Sequence, residues 1–179
     1  MIRFISILSL VLLSSNALGA LTANMQKEGY IKGYGPFVPV QEDWPVSRDT
    51  EFKVVFDLAK AAAPGEINKT MLAAARFINM HVDAGFAPER IQIVVVVHGS
   101  GGDDVGNDEY YEDKTMHKNA NAPLVKALAD KGVQFIVCGQ SAAFFGMTKS
   151  DFLPEVQMAL SAMTAHSVLQ QMGYTLNPF

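Results

Sequence analysis

Residues 91–97 read Ile91-Gln92-Ile93-Val94-Val95-Val96-Val97 and run directly into His98-Gly99. Six of the seven are β-branched, and the run lacks the polar–apolar alternation of a strand with one wet face. A strand apolar on both sides of its pleat needs cover on both faces, which is the situation inside a parallel sheet. The flanking sequence agrees. Upstream, Phe52-Lys53-Val54-Val55-Phe56-Asp57-Leu58 reads as a first strand. Between the two, Ile67, Met71, Leu72, Ala75, Ile78 and Val82 recur at three- and four-residue steps, predicting a helix over residues 66–83 that ends at Gly85. Downstream, Leu124, Val125, Leu128 and Ala129 mark a helix starting near Pro123 and closing at Gly132, and residues 133–137 form a third strand that delivers Cys138. A short helical stretch through Phe144 and Phe145, a brief strand over residues 156–160, a last helix N-capped by Ser161 and an edge strand after Tyr174 follow. This alternation predicts a single-domain α/β fold, a doubly wound, mostly parallel sheet with helices on both faces.

The ends of the chain read differently. Arg3, an apolar run over residues 4–13 and the small residues Ser14 to Ala20 have the order of a signal peptide, predicted over residues 1–20. The apolar run is half the length of a membrane span, so no stable membrane insertion is expected after cleavage. Removal leaves 159 of the 179 residues, the size of one domain. Residues 21–51 are rich in glycine and proline and read as an extended lead-in, with Tyr30, Tyr34, Phe37 and Trp44 expected to dock on the core or on a neighbouring subunit. The domain proper is placed at residues 52–179. A periplasmic or secreted location follows from the leader.

Composition narrows the function. With 14 basic and 18 acidic residues the chain is a poor match to a phosphate backbone, and no nucleic-acid partner is expected. One cysteine cannot close an intramolecular disulfide or build a multi-cysteine zinc site. His81, His117 and His166 show no common ligand spacing and read as surface or packing residues, so neither a metal nor a cofactor is expected. Residues 100–119 read as a long polar excursion. Its six carboxylates between Asp103 and Asp113 suggest a solvated acidic loop.

Ligands of open parallel sheets gather beyond the carboxyl ends of the strands. Asp57, His98 and Cys138 fall there, and Ser161 is a fourth position of the same kind. Cys138 is followed by Gly139, Gln140 and Ser141, whose backbone N–H groups open a helical turn and favour a thiolate. The same position suits a small buried hydrophobe. His98 is placed to assist the thiol or to close its strand as a hydrogen-bonded cap.

These residues also carry a resemblance. A hydrophobic strand ending in His98-Gly99, a strand ending Val137-Cys138-Gly139-Gln140-Ser141, Gly146, Asp151-Phe152-Leu153-Pro154-Glu155-Val156 and Leu169-Gln170-Gln171-Met172-Gly173-Tyr174 occur in order. The set resembles the DsrE/DsrF-like family from about residue 52 to the end of the chain. The resemblance implies a doubly wound α/β sandwich, assembly into homo-oligomers, trimers or hexamers, and a cysteine at the position of Cys138 that accepts sulfane sulfur as a persulfide. The expected function is an exported, sulfurtransferase-like carrier. Cys138, Gln140 and His98 take the chemical roles, Gly139, Ser141, Gly99 and Ser161 bind, and a sulfur donor or acceptor is the partner, either a protein or a small sulfur compound. The competing expectation is a non-catalytic oligomeric binding or assembly module with a packed Cys138. A thiol-redox role lacks a resolving cysteine.

Overall fold

The computed structural model describes residues 25, 26 and 28–178, so the predicted signal peptide lies outside the described residues. Five strands form one sheet: β1 (Phe52–Leu58), β2 (Ile91–Val97), β3 (Gln134–Cys138), β4 (Val156–Ala159) and β5 (Thr175–Asn177). Their order is β4-β3-β2-β1-β5, and every pairing is parallel. The expected sheet was mostly parallel. The described one is wholly so, because even the terminal edge strand runs alongside β1.

Among the described residues, five α-helices accompany the strands: α1 (Lys69–Asp83), α2 (Asp108–Thr115), α3 (Ala122–Ala129), α4 (Gly139–Phe144) and α5 (Ala162–Gln171). From β1 to β4 the chain steps across the sheet in one direction. The apolar faces of α1 and α3 pack with Val54, Phe56, Leu58, Ile93, Val95, Val97, Phe135 and Val137. After β4 the chain reverses, and α5 crosses the opposite face to place β5 beside β1. Reversal of direction with right-handed crossovers requires that change of face. There, Val55, Val94 and Val96 pack against Ala165, Leu169 and Tyr174. The alternation between the two clusters along β1 and β2 is the period-two pleat, with both sides buried as the sequence of β2 demanded.

Local chemistry sets the helix ends. α1 begins at Lys69 rather than near residue 66, because Asn68 is its N-cap, its Oδ1 accepting from the Thr70 N–H at 2.9 Å. Asn79 on α1 fixes the lead-in: its Oδ1 accepts from the Ile31 N–H at 2.7 Å, and its Nδ2 donates to the carbonyls of Tyr34 and Gly35. Ile31 and Phe37 are buried, and Tyr30 and Tyr34 pack on the core. Trp44 does not dock on this chain's own core, where it is 78% exposed.

The acidic excursion is solvated at Asp108, Glu109, Glu112 and Asp113, but it is not a loop. It folds as a 3₁₀ segment, Gly99–Val105, followed by α2. Asp103 accepts from the Tyr110 hydroxyl at 2.9 Å and from Lys114 Nζ at 2.7 Å. Asp104 turns inward and is fully buried, its Oδ2 accepting from the Ala62 N–H and from Asn68 Nδ2. Burial pushes the Asp104 carboxyl above its ordinary range, against the lowering effect of those two donors. Among the described residues, no helix is long and apolar enough to cross a membrane.

Candidate functional site

Pleat and register together decide which side chains meet. Asp57 pairs with Val96, and Val97 pairs with Val137, so Asp57, His98 and Cys138 all emerge at the carboxyl ends of β1, β2 and β3 on the face that α5 covers. Cys138 is in register with Ala159 of β4. The chain leaving β3 turns to one face and the chain leaving β4 to the other, so the crevice between these two strand ends is the switch point of the sheet. Cys138 lies on one side of it and Ser161 on the other.

The Cys138 sulfur is surrounded by donors. Its Sγ accepts from the Ser141 N–H at 3.4 Å. The Ser141 hydroxyl and the backbone N–H groups of Ala162 and Gln140 lie near enough to lower the thiol electrostatically. Ser141 Oγ is itself held by the Gly99 N–H at 3.1 Å, which directs the hydroxyl hydrogen away from Gly99. Burial raises the thiol, but the Ser141 hydroxyl and then the three N–H groups outweigh it, leaving Cys138 below its ordinary value. The thiolate is thereby favoured in a residue that is only 5% exposed.

Two glycines make this packing feasible. Gly99 has φ of +55°, and a Cβ there would stand 2.7 Å from the Ala59 carbonyl oxygen. At Gly139 a Cβ would stand 2.7 Å from the Ala159 carbonyl oxygen, on the neighbouring strand.

A second group adjoins the sulfur. Asp57 accepts from two imidazoles, His98 Nε2 at 3.0 Å on Oδ2 and His166 Nε2 at 2.7 Å on Oδ1. A carboxylate is purely an acceptor, so each ring carries hydrogen on Nε2. Burial raises the Asp57 carboxyl, yet the hydrogen bonds and charges of the two histidines hold it below the usual carboxylate range. Both groups open on one cavity of about 700 Å³, lined by Asp57, His98, Cys138, Gln140, Ser141, Ser161 and His166 among others.

All seven anticipated site residues are therefore gathered at one sheet end, in different capacities. Gly99 and Gly139 contribute backbone and close approach. Ser161 caps α5, its Oγ accepting from the Thr164 N–H at 3.0 Å. Gln140 directs Nε2 to the Leu160 carbonyl at 3.4 Å. His166 is a correction: it is not a surface or packing residue but shares Asp57 with His98. A signal for it existed, since Ala162, Ala165, His166 and Leu169 form one helical stripe that faces the sheet. The Ala162 N–H, which reaches the sulfur from a different element, had no signal in the local sequence.

These features define an open-sheet α/β protein with a single activated thiol at its topological switch point. The chain belongs to the DsrE/DsrF-like family, whose model matches residues 53–178. Membership connects it, at a general level, with sulfur relay. Its fold is similar to that of a protein of unknown function, MTH1491 from Methanobacterium thermoautotrophicum, at 20% identity and a TM-score of 0.55 over 71% of this chain and 98% of that one. No curated protein matches.

Proposed function

We propose that this chain carries sulfane sulfur as a persulfide on Cys138, accepting it from a donor and passing it to an acceptor. One observation carries the reading: a lone thiol on a cavity wall, lowered by the Ser141 hydroxyl and by N–H groups from two separate helix starts. In the accepting step the Cys138 thiolate attacks a sulfane sulfur, the donor's S–S bond breaks, and its electron pair leaves with the remainder of the donor. The same N–H groups then face the persulfide anion. No resolving cysteine exists to divert the thiol into an intramolecular disulfide. The leader-like residues 1–20 make this an exported carrier, to be checked by fractionating cells that express the full chain.

The test is intact-mass analysis after incubation with thiosulfate or polysulfide, beside Cys138→Ser, with reductant added last. Reductant-reversible addition of sulfur to the wild type alone is the expected outcome. An unmodified wild type whose native thiol also resists alkylation would eliminate the carrier role.

A second reading has its own observation. Leu160, Met163, Met172 and Leu176 are each more than half exposed on α5 and the strand ends beside it. Such a surface supports self-association of this chain. Native mass spectrometry of the wild type and Met163→Glu tests it, a dissociated variant being the supporting result.

A further inference from the structure

Acceptance of sulfur by Cys138 leaves one part of the cavity unused: the Asp57 carboxylate bridging His98 and His166. These three and Cys138 are the titratable side chains lining the cavity from β1, α5 and the ends of β2 and β3, and among the described residues no lysine, arginine or glutamate lines it with them. Because both rings present Nε2–H to Asp57, the nitrogen left to hand over a proton is Nδ1. A carboxylate shared in this way fixes tautomer and orientation and balances the charge of one imidazolium. It makes the pair a proton store beside a thiolate.

The walls also discriminate among donors. Among the described residues, the cavity wall holds no lysine or arginine to grip a dianion such as thiosulfate. Met163 and Leu176 offer apolar surface instead. A hydropersulfide, R–S–SH, brings a neutral or singly charged sulfur and an organic group to lie on that surface. Its leaving group is a thiolate, whose conjugate acid has a pKa of about 8.5, so its departure gains from a proton near neutral pH.

We infer that the Asp57-bridged His98–His166 pair protonates the departing sulfur when the donor is a thiol hydropersulfide. This rests on Cys138 being the sulfur acceptor. The Cys138 thiolate attacks the outer sulfur of R–S–SH, a new S–S bond forms at Sγ, and the old S–S bond breaks with its electron pair passing to R–S⁻. An imidazolium gives its Nδ1 proton to that thiolate, releasing R–SH. The proton lost when the Cys138 thiol ionised balances the one delivered, so no external oxidant or reductant enters. His98 and His166 are the catalytic acids, and Asp57 is a positioning residue.

Single-turnover persulfidation of the full chain, followed by intact mass, tests this with two donors, cysteine hydropersulfide and thiosulfate, from pH about 5.5 to 8.5. The double variant His98→Gln/His166→Gln should react about a hundredfold more slowly with the hydropersulfide and lose the pH dependence of that rate. With thiosulfate, whose sulfite leaving group is less basic, the change should stay within about threefold. Asp57→Asn and the single His166→Gln should show the same donor selectivity in weaker form, which keeps the test decisive if the double variant folds poorly. Iodoacetamide alkylation of Cys138, run in parallel, should be nearly unchanged. Equal slowing with both donors, no slowing with either, or a matching loss of alkylation overturns the acid role while leaving the carrier role standing. A wild type that takes up sulfur from neither donor removes both.

Discussion

Asp57 Oδ1 and His166 Nε2 stand 2.7 Å apart although 109 positions separate them in the chain. The contact ties the end of the first strand to the middle of the last helix, and with His98 on the other oxygen it gives one carboxylate two charge-assisted partners.

That carboxylate should make folding stability sensitive to acid. Its folded pKa lies below the unfolded value of about 3.9. The stabilisation is therefore present above the unfolded pKa and is lost as pH falls through the folded one. Asp57→Asn should unfold more easily than wild type at neutral pH, by roughly 1 kcal/mol after allowing for partial exposure. In strongly acidic solution the two should converge. Urea denaturation across a pH series measures both limbs.

Ser141→Ala removes the largest single influence lowering the Cys138 thiol. The Ser141 N–H remains, so the shift should be partial. Alkylation by iodoacetamide near neutral pH should slow several-fold, on the order of the lost thiolate fraction, and recover at alkaline pH. An unchanged rate profile would show that the hydroxyl does not act on the sulfur.

Gly99→Ala should destabilise the fold and disturb the site together. The substitution forces a non-glycine residue to φ of +55° and drives its Cβ against the Ala59 carbonyl. A cost of about 1–3 kcal/mol is expected in urea or thermal unfolding. Faster unfolding should accompany weaker protection of the Gly99 N–H that holds Ser141.

Asp104 has the opposite sign from Asp57. Its folded pKa is raised, so its contribution to stability is fully present below the unfolded pKa and is lost as pH rises through the folded one. Asp104→Asn cannot ionise and should gain stability relative to wild type as pH rises. Denaturation midpoints of both proteins at mildly acidic and mildly alkaline pH provide the comparison. A difference that stays constant would show that the carboxyl does not titrate in the folded state.

The strands were legible because their residues leave no alternative: a run such as residues 91–97 is too apolar for any edge and too β-branched to prefer helix. Cys138 and His98 were legible for a related reason, since a reactive side chain directly after a buried strand falls at the sheet end where ligands bind. Beyond Gly99, carboxylate count is a guide to solvation only in part: four of the six carboxylates are exposed, and Asp104 is not. Asp104 is buried through donors on Ala62 and Asn68, which lie far away in sequence. Trp44 finds no cover on its own chain and stays exposed there.

By itself the sequence determined the chain order of the strands and of the helices other than α2, the parallel sheet and the position of the one thiol, because periodicity and β-branching act over a few neighbouring residues. Tertiary structure alone decided that α5 crosses the far face, bringing the Ala162 N–H to the Cys138 sulfur and His166 to Asp57. Such contacts, one across 24 positions and one across 109, depend on crossover handedness and strand register, and those are properties of the assembled sheet rather than of any local stretch of chain.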